Sequence, residues 1–293
     1  MDTQRKAYLY GLIAIVAWST VASAFKITLR FLDYSALLFF SSLTSLVFLS
    51  FVLSAAKGFR FLVGEMKRGA TPLSFLLGFL NPFLYYLVLF KAYSLLPARE
   101  AMPLNYTWPI VLVLFSALLL GQKISIKSIL AIIISFLGVI LIASGKSENA
   151  PQNSNVFGVF LALLSAIIWA LYWTLNVKSK KEPVLRLFLN FVYGFPFVAA
   201  YYFARGHSIK SPSGLLGALY VGIFEMGFTF LMWLQALRHS RSTALVSNLV
   251  YLVPFLSLLL IHLVVGENIP ASTVLGVLLI VGGIILQQGT KRR

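Results

Sequence analysis

The chain contains no cysteine, and Asp, Glu, Lys and Arg together make up only 11% of its 293 residues. The lack of cysteine excludes disulfide bonds and metal sites built from thiolates. The scarcity of charge, together with a hydrophobic content of 59%, excludes the two soluble domains that the length would allow. The composition is that of a polytopic membrane protein.

Several catalytic signatures are also absent from the sequence. It has no phosphate-binding glycine loop and no Walker motif, which argues against ATP hydrolysis by this chain. Neither a cluster of metal-ligating residues nor a nucleophile paired with a base can be recognised. We therefore expect no cofactor, no metal and no catalytic residue, and a protein that is not an enzyme.

Long apolar runs fill most of the chain. A helix needs about 20 mainly apolar residues to cross the hydrocarbon core, and the sequence offers about ten such stretches with short polar breaks between them. A membrane β-barrel would alternate apolar and polar residues, and runs such as SILAIIISFLGVILIAS at 128–144 do not. The sequence predicts an all-α polytopic membrane protein with ten transmembrane helices.

The basic residues are distributed unevenly between the two sides of these predicted helices. The formal charge of +16 would suit nucleic acid if it formed one patch. Instead, 17 basic residues lie on the side that holds both termini, and five lie on the other side: Arg30, Arg99, Lys146, Arg205 and Lys210. Because Lys and Arg accumulate on cytoplasmic loops, we expect both termini in the cytoplasm. The predicted location is the cytoplasmic (inner) membrane, with lipid and not nucleic acid as the surroundings.

The second half of the chain repeats the first. LNYTWPIVLVLFSALLLGQKI at 104–124 aligns with LVYLVPFLSLLLIHLVVGENI at 249–269 at a constant offset of 145. Leucines coincide easily in membrane helices, but a tyrosine, a proline and a glycine at common spacing do not. The matched pairs include Tyr106/Tyr251, Pro109/Pro254 and Gly121/Gly266.

The repeat predicts five helices in each half. Residues 1–144 form the first repeat, 145–155 a polar extracellular linker, and 156–293 the second repeat. Since five is odd, the second copy enters the membrane from the opposite side, which gives a 5+5 inverted-topology repeat. This architecture is the usual basis of alternating access around a site near the bilayer midplane.

The helix count, the repeat and the pattern of proline followed by Gly-Gln or Gly-Glu at 109–122 and 254–267 resemble the drug/metabolite transporter superfamily with two EamA repeats. The resemblance covers essentially the whole chain. Within that superfamily, LNYTWP at 104–109, GQK at 121–123 and EMGFTFLMW at 225–233 are similar to the YddG-like branch of aromatic amino-acid exporters. This resemblance implies a secondary transporter that exports aromatic or hydrophobic amino acids and related amphiphiles.

Glu225 lies halfway along the eighth predicted helix, and Asn81 occupies the corresponding place in the third at an offset of 144. An ionisable group at that depth must be neutralised, paired or placed in a wet cavity. We interpret Glu225 as a cavity residue that meets a substrate ammonium group or carries a proton. Proton coupling and the solute's own gradient thus remain two candidate energy sources. In the alternative interpretation, Glu225 and Asn81 are structural groups that hold helices together.

Aromatic residues are expected to surround the apolar body of the solute. Trp18 and Trp169 correspond to each other in the two halves and lie near mid-helix, away from the headgroup level where tryptophan accumulates. Contact with lipid or between helices is the alternative for each of them. The predicted substrate-binding residues are Asn81, Glu225, Trp18, Tyr85, Tyr106, Trp169 and Tyr251.

Pro109 and Pro254 each remove a backbone donor within a predicted helix and should bend the fourth and ninth helices at corresponding points. Such a kink can act as a moving gate or as a static bend that widens a cavity. The sequence also leaves open a nucleobase, an organic cation or a sugar phosphate as the solute, a non-transporting scaffold or enzyme, and a monomer or a homodimer.

Overall fold

The computed structural model describes residues 3–120, 126–144, 155–176, 181–205, 209–240 and 248–288. These residues are almost entirely helical, with one isolated antiparallel bridge between Leu32 and Ile209. Seven helices are long and apolar enough to cross a membrane by length and composition, and three shorter apolar helices accompany them. The expectation of an all-helical, multi-pass membrane protein is confirmed at this level.

The helices are numbered here in chain order. The first half contains α1 (Thr3–Thr28), α2 (Tyr34–Lys57), α3 (Phe59–Arg68), α4 (Pro72–Leu95), α5 (Ala98–Asn105 and Trp108–Leu120) and α6 (Ile126–Ser144). The second half contains α7 (Val156–Asn176), α8 (Pro183–Arg205), α9 (Ser213–His239), α10 (Asn248–Leu252, Val253–Leu260 and Ile261–Val265) and α11 (Ala271–Gln288). The short helix α3 is charged and is not one of the apolar set.

Helices of one half pack mainly against helices of the other. α1 packs against α9 and α10, while α7, the first helix of the second half, packs against α4 and α5. α2 packs against α9, and α8 packs against α4. Two further pairs, α2 with α8 and α6 with α11, join helices that correspond to each other in the sequence repeat. The other contacts occur in twos, since each contact of a first-half helix with a second-half helix has an equivalent with the halves exchanged.

Small residues bring α6 and α11 together. A Cβ atom added at Gly138 would lie 2.6 Å from the carbonyl oxygen of Gly276, so the two backbones are in direct contact. Close backbone approach of this kind stabilises helix pairs in lipid, where there is little hydrophobic drive for association. The opposite face of α6 consists of exposed apolar side chains at helical spacing: Ile129, Ile133, Phe136 and Ile140. α6 therefore presents one face to α11 and the other to lipid.

Two helices are interrupted at the same relative position. In α4, the segment Phe79–Leu84 contains a kink at Asn81, whose backbone is not helical, and in α9 the segment Val221–Phe228 is π-helical. Asn81 and Glu225 lie within these segments. Irregular backbone at membrane depth is tolerated only where it is buried in protein or lines a cavity, and π-helical segments often occur at functional sites. The two interruptions therefore indicate where the interior site should be sought.

The polar connections gather at two opposite ends of the helices. At one end, Lys181 donates to Glu65 at 2.7 Å, and Lys57 forms an ion pair with Glu182. At the other end, the guanidinium of Arg30 donates to the carbonyl of Val265 at 3.2 Å. Each of these contacts joins two connections that the charge pattern predicts to lie on the same side of the membrane.

Candidate functional site

A cavity of about 410 Å³ lies among α1, α4, α5, α7, α9 and α10. This volume is in the range of sites that hold small organic ligands. The wall includes all five tryptophans of the chain, which come from four different helices: Trp18, Trp108, Trp169, Trp173 and Trp233. Since the chain places every tryptophan on this one surface, the cavity is distinctly aromatic.

The aromatic rings support one another across helices. Tyr85 of α4 stacks on Trp169 of α7, with ring centroids 4.4 Å apart and an interplanar angle of 26°. Trp18 of α1 contacts Trp233 of α9 at 5.5 Å between centroids. Such contacts between rings add to the stability gained from burying the rings. These contacts therefore hold the rings of the wall against one another.

Glu225 lies on the cavity wall, within the π-helical segment of α9. Its side chain is buried within the protein, and its Oε1 accepts a hydrogen bond from the hydroxyl of Tyr86 at 3.1 Å. Among the described residues that line the cavity, Glu225 is the only carboxylate, and none is Lys, Arg or His. The combination of one acidic group with aromatic faces suits an organic cation or the ammonium group of an amino acid.

Two tyrosines that correspond in the repeat lie together on the wall. Tyr106 and Tyr251 both line the cavity, and the Tyr106 hydroxyl donates to the carbonyl of Val250 at 2.5 Å. This hydrogen bond joins α5 to α10. The predicted residues Trp18, Tyr85, Tyr106, Trp169, Tyr251 and Glu225 are thus brought together around one cavity.

The two prolines occupy related but unequal positions. Pro109 lines the cavity, whereas Pro254 is not among the described lining residues, although its neighbour Val253 is. The backbone departs from α-helix just before each proline, in a turn at Tyr106 and Thr107 and in the 3₁₀ segment Asn248–Leu252. Regular α-helix is therefore interrupted at corresponding points in α5 and α10.

Asn81 does not reach the cavity. It is buried, 1% exposed, and lies beside Tyr172, whose hydroxyl accepts a hydrogen bond from Asn190 at 2.9 Å. Its backbone is extended (φ −148°, ψ 118°) because the residue before a proline avoids the α region, and Pro82 follows. The structure brings Glu225 to the wall and leaves its counterpart in a separate polar cluster between α4, α7 and α8.

Asn105 is a polar wall residue that sequence reasoning missed. Its Oδ1 accepts from the Tyr85 hydroxyl at 3.4 Å, and its Nδ2 donates to Ser165 at 2.8 Å. The available signal was its place inside LNYTWP, immediately before Tyr106. Asn105 supplies a side-chain amide to the cavity, in the half of the chain that does not contain Glu225.

The turn between α4 and α5 lies next to the cavity. Tyr93, before the turn, and Met102, after it, both line the wall. Lys26 at the end of α1 donates to the carbonyls of Tyr93 at 3.0 Å and Leu96 at 2.6 Å. The turn is therefore anchored to α1 at this end of the molecule.

Comparisons with known proteins agree with this arrangement. The model of the EamA-like transporter family matches residues 5–144 and again 156–287. The aromatic amino acid exporter YddG of Ancylobacter novellus is 28% identical, over 96% of both chains. The exporter of the same name from Escherichia coli (strain K12) is 25% identical, over 97% of both chains.

Two further similarities extend over nearly the whole chain. An uncharacterized transporter of Archaeoglobus fulgidus is 25% identical, over 96% of this chain and 98% of the relative. A protein of known crystal structure superposes with a TM-score of 0.66 at 25% identity, over 98% of both chains. Since the family model matches both halves, and membrane-length helices enclose an internal cavity, this chain belongs to the EamA-like transporter family.

Proposed function

We propose that this protein is a secondary carrier of the cytoplasmic membrane that exports aromatic or hydrophobic amino acids and related amphiphiles by alternating access. The observation that carries the proposal is the cavity that gathers all five tryptophans around one carboxylate. In this account, Glu225 meets the ammonium group of the solute. Trp18, Tyr85, Tyr106, Trp169 and Tyr251 surround the apolar body.

The proposed topology is ten transmembrane helices in a 5+5 inverted repeat, with both termini in the cytoplasm. Residues 1–144 and 156–293 are the two repeats, joined by an extracellular linker at 145–155. The exchange of contacts between halves supports this division, because α1 with α9 and α7 with α4 are the same contact with the halves reversed. Rocking of the two halves about the cavity would expose it to one side at a time.

The repeat-related interruptions fit such a movement. Regular α-helix is interrupted before a proline in both α5 and α10, and their contact through Tyr106 and Val250 crosses between the halves. We propose that Pro109 and Pro254 mark the points at which these helices bend as the cavity opens. Asn81, which lies off the wall, is then a structural residue of the α4 interruption.

The charged residues on the cavity wall also favour some classes of solute over others. A sugar phosphate would call for Arg or Lys at the cavity, and the described lining residues contain neither. An aromatic organic cation is the second candidate, because Glu225 faces no cationic partner on that described wall. Coupling to protons through Glu225 and exchange down the solute's own gradient both agree with a single acidic group.

A panel of solutes tests the proposal. Purified protein is reconstituted in liposomes that are loaded in turn with phenylalanine, tryptophan, a nucleobase, a sugar phosphate or an aromatic quaternary amine. We expect the internal aromatic amino acids to accelerate entry of labelled phenylalanine, and the sugar phosphate to have no effect. Exchange of the amine alone would favour the second candidate. A lack of exchange for every solute by a folded preparation would contradict a carrier function.

A further inference from the structure

The turn between α4 and α5 is held from two sides by charged side chains that belong to other helices. This turn, at Leu96 and Pro97, lies next to the cavity, because Tyr93 before it and Met102 after it both line the wall. A solute that leaves the cavity between these two residues passes the turn. The groups that hold it are therefore candidates for control of that passage.

Glu267 holds the amide side of the turn. One carboxylate oxygen accepts from the backbone N–H of Ala98 at 2.9 Å, and the other accepts from that of Arg99 at 3.0 Å. These are the first amides of α5, and the N-cap residue Pro97 provides no side-chain cap of its own. A carboxylate from the second half of the chain thus caps a helix of the first half.

The local backbone explains how Glu267 reaches this place. Helix α10 ends at Gly266, which adopts the left-handed conformation with φ +80°. Glycine occupies that region without steric cost and commonly terminates a helix. The chain therefore turns at the end of α10, and Glu267, the next residue, reaches the first amides of α5.

Lys26 holds the carbonyl side of the same turn. Its ammonium group donates to the carbonyls of Tyr93 and Leu96, at the C-terminal end of α4. Lysine at a helix C-terminus satisfies carbonyls that have no partner within the helix. An anion that follows α10 and a cation from α1 thus bind the amides and the carbonyls of one connection.

We propose that Lys26 and Glu267 form the outer gate of the carrier. In this structure they clamp the α4–α5 turn beside the cavity, and the turn is released only when α1 and α10 move relative to α4 and α5. The same relative movement opens the cavity in an alternating-access cycle, so the inference rests on the proposed function. Lys26 and Glu267 act through the turn and are positioning residues, not solute ligands.

The absence of cysteine from the chain provides a direct test. Ala22, a small residue on the cavity wall, is replaced by cysteine, and labelling with a membrane-impermeant maleimide is measured separately from each face of oriented vesicles. Adding Glu267→Ala should raise labelling from the face that bears the α4–α5 turn by about tenfold, since loss of charge-assisted hydrogen bonds shifts the conformational equilibrium. Lys26→Met, which removes the clamp from the other side, should raise it as well.

Glu65→Gln is the matched control, because it removes a carboxylate that pairs with Lys181 at the opposite end of the molecule. Unchanged labelling in both folded clamp variants, or an equal rise in the Glu65 control, would overturn the gate. Labelling needs no solute, so a selective rise supports the gate whatever the solute panel shows. Exchange of phenylalanine together with unchanged labelling would overturn the gate and leave the carrier function standing.

Discussion

The hydroxyl of Tyr86 donates a hydrogen bond to Oε1 of Glu225 at 3.1 Å, and so joins α4 of the first half to α9 of the second. The bond fixes the orientation of the only carboxylate on the described cavity wall. Tyr86 and Glu225 come from opposite halves, so the position of the Glu225 carboxylate depends on both halves. A solute that binds this carboxylate would therefore sense the arrangement of the two halves. In the proposed cycle, solute binding and movement of the halves would thereby be linked at one point.

Glu225→Gln should weaken binding of aromatic amines and amino acids by about tenfold or more, since it removes the charge and retains the shape of the side chain. Neutral aromatic amides should bind with unchanged affinity. The affinities can be measured by quenching of tryptophan fluorescence, because every tryptophan lies on the cavity wall. Tyr86→Phe, which removes only the tether, is the control and should produce a smaller loss.

Trp169→Ala should reduce affinity for aromatic solutes by more than tenfold, because the indole stacks on Tyr85 and forms part of the wall. Trp169→Phe should recover most of that loss by retaining an aromatic face. Phe136→Ala is the control, because it removes an exposed aromatic ring from the face of α6 that points away from α11. An equal loss of affinity in Phe136→Ala would contradict a specific role for the cavity rings.

Gly138→Ala should destabilise the protein by about 1–3 kcal/mol, as overpacking of tight contacts does. The new Cβ would meet the carbonyl oxygen of Gly276 at 2.6 Å, and a backbone atom cannot yield as a flexible side chain can. Gly282→Ala is the matched control on α11, where nothing lies within 4 Å of the added atom. Thermal unfolding in detergent distinguishes the two: only Gly138→Ala should lower the transition temperature.

The ion pair of Glu65 and Lys181, at the end of the molecule opposite the gate, should make the stability of the folded chain depend slightly on pH. The hydrogen bond from Lys181 lowers the pKa of Glu65 below its ordinary value. The pair therefore stabilises the folded chain at neutral pH, and this contribution is lost as the pH falls through the lowered pKa. The effect is small because the pair remains partly exposed to solvent. Thermal unfolding between pH 7 and pH 3 should show a slightly weaker pH dependence in Lys181→Met.

The repeat made much of the cavity predictable from sequence. Tyr106 and Tyr251 correspond at the offset of the repeat, and the structure places both on one wall. Glu225 stands out in the sequence because a carboxylate is costly in a membrane-spanning helix. Both signals are local in the sequence or repeat at a fixed interval.

Other features depend on contacts that a repeat does not encode. Asn81 has the depth of Glu225, but Pro82 alters the backbone beside it, and α9 has no proline at that place. The stacking of Tyr85 on Trp169 and the capping of α5 by Glu267 join distant parts of the chain. Neither follows from the spacing of residues along one helix.

Counterflow of labelled phenylalanine in liposomes tests the central claim most directly. Vesicles that contain the protein and an internal load of unlabelled phenylalanine should accumulate the label transiently above its equilibrium level, whereas vesicles without an internal load should not. The signal should fall sharply in Trp169→Ala. Uptake no faster than in protein-free vesicles, from a preparation shown to be folded, would contradict a carrier for aromatic amino acids.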